Sequence, residues 1–280
     1  MIIVDNRNKK ELSLKERQAL SVEVLDVIDE FCKSNSIKYF LNYGTLLGAV
    51  RYEGFIPWDD DIDIGMPRPD YERFIKTFSA EGFSIHHYSK VKKLACPFVK
   101  VYTEKTFSTS ESGVLLPYSI WVDIFPIDGC PKSEKKLQNH FKKQVFLFKY
   151  FYLFAKTCEC HTLHLRKKNF LVSLIKIILR YTIFLFIKSP KVCALIDKNA
   201  KKYDYSISDY VGCYVAYYKT RKEKFKKEFL SETTLKSFEG KKYPIPKNYH
   251  EILTALYGDY MTPPPKQEQN CIHSEKSYWK

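Results

Sequence analysis

The 280-residue chain has no pattern that marks a membrane span, an exported protein or a nucleic-acid reader. Its start, Met1-Ile2-Ile3-Val4-Asp5, turns polar too soon for a secretory h-region. The expectation is therefore a cytoplasmic chain whose 8 cysteines stay reduced and serve mostly as small core residues. The stretch Cys158-Glu159-Cys160-His161-Thr162-Leu163-His164 lacks the two-pair spacing of a structural zinc site. The apolar run 170–187 is broken by Lys176 and Arg180, which share a helical face with Asn169 and Ser173. That, with its marginal length, argues against a transmembrane span. A helix lying on an anionic leaflet and a helix packed in the domain with one wet stripe both fit it. There is no internal repeat and no RRM, KH, helix-turn-helix or zinc-finger pattern.

What is present suffices for a folded core. Hydrophobic residues make up 45% of the chain and charged residues 28%, which are ordinary globular proportions. The charge is unevenly placed. Residues 1–128 carry 16 Lys and Arg against 19 Asp and Glu, whereas residues 129–280 carry 30 against 13. The first part needs cations nearby, and the second attracts polyanions or an anionic membrane surface unless it is simply a solvated basic face. Its lysines are scattered among Phe and Tyr, so nucleic acid is the disfavoured partner.

Ser13-Leu14-Lys15-Glu16 is a capping box, followed by Leu20, Val24, Ile28 and Phe31 at helical spacing up to about Ser34-Asn35. Residues 37–42 read as a buried strand, and Tyr43-Gly44-Thr45 as the turn leaving it. Residues 45–51 read as a short helix with Thr45 at its N-cap, a start that offers backbone N–H groups to a phosphate. Strands are expected over 83–88, 98–102, 113–116 and 120–129, and helices over 69–78, 141–156, 167–188, 190–202 and 248–257. A further strand is expected near 210–218, and the end from Thr262 on reads as extended or flexible.

The densest chemistry lies at Asp59-Asp60-Asp61-Ile62-Asp63-Ile64. Alternation over 61–64 is the mark of a strand with one wet face, and residues i and i+2 then point the same way. Asp61 and Asp63 would sit roughly 7 Å apart at Cα, close enough to hold one ion, with Asp59 joining if the extended geometry reaches back. Asp60 points away in that register. Asp123 sits inside the apolar run Trp121-Val122-Asp123-Ile124-Phe125. Burying it alone is costly, so a shared cation is expected there too. Asp128, before Gly129, reads as a turn residue.

Together, Gly44-Thr45, Asp61-Ile62-Asp63 and Val122-Asp123-Ile124 resemble the nucleotidyltransferase superfamily. The longer run from Tyr43 to Arg51 and Gly54-Phe55-Ile56-Pro57-Trp58-Asp59-Asp60-Asp61-Ile62-Asp63 resembles the LicD family, related to the fukutin group. So do residues 121–128 and the tail Leu256-Tyr257-Gly258-Asp259-Tyr260-Met261-Thr262-Pro263-Pro264. The resemblance implies an α+β fold: a nucleotidyltransferase-like mixed sheet flanked by helices, with a largely helical basic second part. The implied division is a catalytic core over 1–130, a basic helical region over 131–208, and a C-terminal part over 209–280 that packs back on the core.

It also implies an Mg²⁺-dependent transferase, with Mn²⁺ as the alternative ion. Such an enzyme moves an alcohol phosphate, phosphocholine first, from a CDP-linked donor to a cell-surface glycan or its lipid-linked precursor. Asp59, Asp61, Asp63 and Asp123 correspond to the metal-holding acids, with Asp61, Asp63 and Asp123 catalytic. Gly44, Thr45, Arg51, Trp58 and Lys100 are the donor-binding candidates. The plainer readings are a turn glycine at 44, a surface arginine at 51, a solvated lysine at 100 and a wall residue at 58. An enzyme moving a nucleoside monophosphate from an NTP, and a non-catalytic basic protein docked on the inner face of a membrane, are the competing functions.

Overall fold

The computed structural model describes residues 9–110, 113–152, 178, 188–216, 223–270 and 275–280. The expected helix over 167–188 and the Cys158–His164 cluster lie almost wholly outside the described residues.

The chain opens on α1 (Leu14–Ser34), whose N-terminus closes the reciprocal Ser13–Glu16 capping box. Its apolar stripe, Leu20, Val24, Leu25 and Ile28, is buried against the sheet strands β4 (Val99–Thr103) and β6 (Trp121–Cys130). Then come β1 (Phe40–Leu41), α2 (Tyr43–Arg51), β2 (Ile62–Pro67), α3 (Arg68–Thr77) and β3 (Phe83–His86). Between β4 and β6 lies β5 (Thr106–Thr109). The expected strand over 113–116 amounts to one isolated bridge, Leu115 to Thr109.

The main sheet runs β1-β2-β6-β4-β3. β2 and β6 are parallel, and the other neighbours on this path are antiparallel. All ten residues of β6 are buried. Ile62, Ile64 and Met66 of β2, Val122 and Ile124 of β6, and Val99 and Val101 of β4 show no exposure, so the alternation read from the sequence is the core face. Phe40 lies opposite Gly65 in the ladder, and its ring lies where a Cβ on Gly65 would sit, at 2.6 Å.

After α4 (Glu134–Phe146) and a π-helical turn (Leu147–Tyr152), α5 (Ser189–Ala200) returns to the core. The strand β7 (Tyr210–Gly212) pairs with the end of β6 and with β8 (Phe225–Lys226). Next come the short α6 (Lys227–Ser231), the hairpin β9 (Thr233–Phe238) and β10 (Lys241–Pro246), and α7 (Tyr249–Tyr257), which stops at Gly258. The final strand β11 (Lys276–Trp279) pairs with β5. The part of the tail that reads as extended or flexible thus ends as a strand on the body of the protein.

Asp128 is not a turn residue. It is buried within β6 and accepts two hydrogen bonds from Arg68, each 2.6 Å long. Arg68 also reaches Asp197 of α5 at 2.8 Å, so one guanidinium ties α3, β6 and α5 together. The described cysteines Cys32, Cys96, Cys130, Cys193 and Cys213 are buried, and none forms a disulfide. Among the described residues no helix is long and apolar enough to cross a membrane.

Candidate active site

The site is built where β1 hands over to α2. Asn42 donates its backbone N–H to the carbonyl of Asp63 at 2.9 Å, and Tyr43 turns the chain with φ 45°. The helix therefore starts two residues earlier than the sequence pattern suggests, and Thr45 is not its N-cap. Instead the Thr45 hydroxyl accepts the backbone N–H of Asp63 at 2.8 Å. Both peptide groups of Asp63, its N–H and its C=O, are thus fastened to the start of α2. Gly44 is more than a turn residue. A Cβ there would lie 2.9 Å from Asp59 Oδ2, so the bare backbone lets that carboxylate approach the helix start.

Strand register assembles the rest. Asp63 is the ladder partner of Asp123 across β2 and β6, and Lys100 is the partner of Asp123 across β4 and β6. Ladder partners share a face, so the three side chains form a row across three strands. Oxygens of Asp61, Asp63 and Asp123 lie within 4.8 Å of one another, and so do oxygens of Asp59, Asp60 and Asp61. Asp61, immediately before β2, belongs to both groups.

Asp60 turns from the row, as expected, but inward to protein. It is buried against Arg17 of α1, while Gln18 of the same helix donates to the Asp59 carbonyl at 2.8 Å. Lys100 is no solvated lysine. Its Nζ is 2.6 Å and 3.0 Å from the two oxygens of Asp123 and 4.2 Å from the centre of the Trp121 ring. Trp58 is half-exposed and adjoins Asp59. Arg51 is not drawn into the cluster. It ends α2, about 9 Å along the helix axis from Thr45, with its guanidinium 5.5 Å from the Tyr52 ring centre.

The electrostatics follow from crowding. Burial, then the charges of Asp61, Asp123 and Asp59, push Asp63 well above the usual carboxylate range. Burial and neighbouring Asp61 push Asp59 up to about 7. Burial also raises Asp123, against the pull of Lys100. Burial disfavours the Lys100 ammonium, but the charge of Asp123 outweighs it and holds Lys100 protonated. Hard oxygen donors at this spacing, each reluctant to ionise beside the next, fit a divalent ion such as Mg²⁺. Asp61, Asp63 and Asp123 would hold it, with Asp59 beside them.

Two side chains that the sequence did not flag belong here. Glu223 accepts the Tyr43 hydroxyl at 3.0 Å and 2.9 Å and the Cys213 N–H at 3.1 Å. Burial lifts its carboxyl to about 7. Tyr257, at the end of α7, has its hydroxyl pushed above the normal range by burial and by Asp63, Asp59, Glu223 and Asp61. Glu223 was hidden in Arg221-Lys222-Glu223-Lys224, which reads as a solvated charge run. Tyr257 does fall in the family-like tail.

Comparison with known proteins shows the family of the chain. Residues 36–169 match the family described as LicD/FKTN/FKRP, nucleotidyltransferase domain. The chain is 32% identical over 275 residues to the lipopolysaccharide cholinephosphotransferase LicD of Haemophilus influenzae, covering 96% of this chain and 99% of that protein. It is also 36% identical over 90 residues to an uncharacterized protein of Rickettsia typhi, 31% of this chain and 29% of that one.

Proposed function

The chain belongs to the LicD family, and on that premise we propose that it is a transferase moving phosphocholine from CDP-choline to a hydroxyl of lipopolysaccharide or a related cell-surface glycan. The observation that carries the reading is the register that sets Asp63 beside Asp123, with Asp61 completing an oxygen triad at the start of α2. The relative's name supplies the cargo and the acceptor class.

When bound, Mg²⁺ or Mn²⁺ supplies charge neutralisation for a pyrophosphate and its leaving group. The chain's own residues do the rest. Gly44 and Thr45 present the first N–H groups of α2 to donor phosphate oxygens. Asp61, Asp63 and Asp123 would hold the ion, with Asp59 closing the cluster from the α1 side. Asp123 takes the proton of the attacking hydroxyl: burial raises its proton affinity, and Lys100 fixes its orientation and favours release afterwards. Lys100 therefore acts through Asp123 rather than on the donor. Half-exposed Trp58 forms a wall of the donor cleft. The basic second part of the chain suits an anionic acceptor held at the inner face of a membrane.

A panel of CDP-alcohols with Mg²⁺, scored by CMP release, tests the reading. CDP-choline should be the best donor. Pyrophosphate release from an NTP without CMP release from any CDP-alcohol would favour a nucleotidyltransferase, and no turnover of either would favour a docking protein.

A further inference from the structure

Three consecutive residues at the start of α2 each meet a different acidic residue. Thr45 holds the backbone of Asp63, Gly44 lies against Asp59, and the Tyr43 hydroxyl donates to Glu223. The first two belong to the phosphate and metal end of the site. The third is a carboxylate that phosphoryl chemistry does not call for, held by a residue in the same helical turn.

Glu223 is held by neutral donors. A tyrosine hydroxyl and a backbone N–H occupy its oxygens, and among the described residues no lysine or arginine pairs with it. Its lone pairs are largely used, while no lysine or arginine among the described residues cancels its charge. That environment suits a cation needing a field and aromatic surface rather than hydrogen-bond acceptors. A trimethylammonium group has no N–H to donate and is such a cation. The aromatic surface is present. The buried Tyr43 ring stands edge-on to Phe125 at 5.3 Å, and Phe125 lies 4.5 Å from Phe98. Tyr257, 43% exposed, ends α7, which packs against α2, and it stands in the field of both Glu223 and the metal-side acids.

We infer that Glu223, with the rings of Tyr43 and Tyr257, forms the subsite for the quaternary ammonium of the donor and so selects choline over uncharged alcohols. This rests on the phosphocholine reading above. The α2 start then reads both ends of the transferred group: Gly44 and Thr45 its phosphate, Tyr43 and Glu223 its cation.

The test is calorimetric binding of CDP-choline and of CDP, which lacks the choline and gains a free terminal phosphate oxygen, to the full chain and to Glu223→Gln with Mg²⁺ present. Glutamine keeps the shape and an acceptor for Tyr43 while removing the charge. CDP-choline binding should weaken about tenfold or more, and CDP binding should not weaken. Equal weakening of both ligands, or of neither, overturns the inference. Tyr257→Leu, which removes the ring and its buried hydroxyl from a residue 43% exposed as a whole, provides the second reading: a loss of about threefold for CDP-choline alone. An equal loss for both ligands there also counts against the subsite. If the unaltered protein releases CMP only from a different CDP-alcohol, the phosphocholine reading itself fails. A choline-active enzyme with an indifferent Glu223→Gln sinks the subsite alone.

Discussion

Asp59 keeps its proton up to about pH 7 because burial withholds water from the charged form and Asp61 stands beside it. An unfolded chain loses that proton near pH 4. The folded-state value is raised, so the stability this group contributes is present at low pH and is lost as pH climbs through 7. Asparagine mimics the protonated form. In metal-free buffer Asp59→Asn should match the parent near pH 4 and exceed it by about 1–2 kcal/mol at pH 8, since solvent screens part of the half-exposed group. Urea unfolding at the two pH values checks this, and Mg²⁺ should erase the variant's advantage at pH 8. At the same scale, sequence could identify the acids but not their partners. Asp123 in an apolar strand signals an unusual need, whereas nothing local says that Lys100 answers it.

Elements were legible where the signal is local. The capping box and apolar stripe of α1 give its ends within a residue, and Gly258 marks the end of α7. Pairing was not legible, because register is decided by strands far apart in the chain. The row Asp63, Asp123, Lys100 exists only after β2, β6 and β4 align, and β5 meets β11 across some 170 positions. The Arg68 junction is of the same kind. Asp128 before Gly129 resembles a turn until α3 and α5 close over it. Buried carboxylates left without their cation are expensive, so Arg68→Leu should cost about 3–5 kcal/mol. Equilibrium urea unfolding measures it, and a loss below 1 kcal/mol would show that the junction is not holding the three elements.

At the scale of the molecule, the acidic first part carries the clustered acids proposed to hold a metal, and later segments pack beside them. Glu223 follows β7, Tyr257 ends α7, and β7 itself extends β6. Sequence showed the charge asymmetry, and the resemblance implied a C-terminal part packed back on the core, but a lysine-rich segment gives no local hint of which strand it will join. The central claim is that Asp61, Asp63 and Asp123 hold a divalent ion for phosphocholine transfer. The most direct measurement is the initial rate of CMP release from CDP-choline with lipopolysaccharide as acceptor, for the parent, Asp61→Ala and Asp63→Ala, each with Mg²⁺ and with chelator. The account predicts that either substitution, or the chelator, lowers the rate about 100-fold or more. Parental rates in both variants, or release indifferent to the chelator, would contradict it.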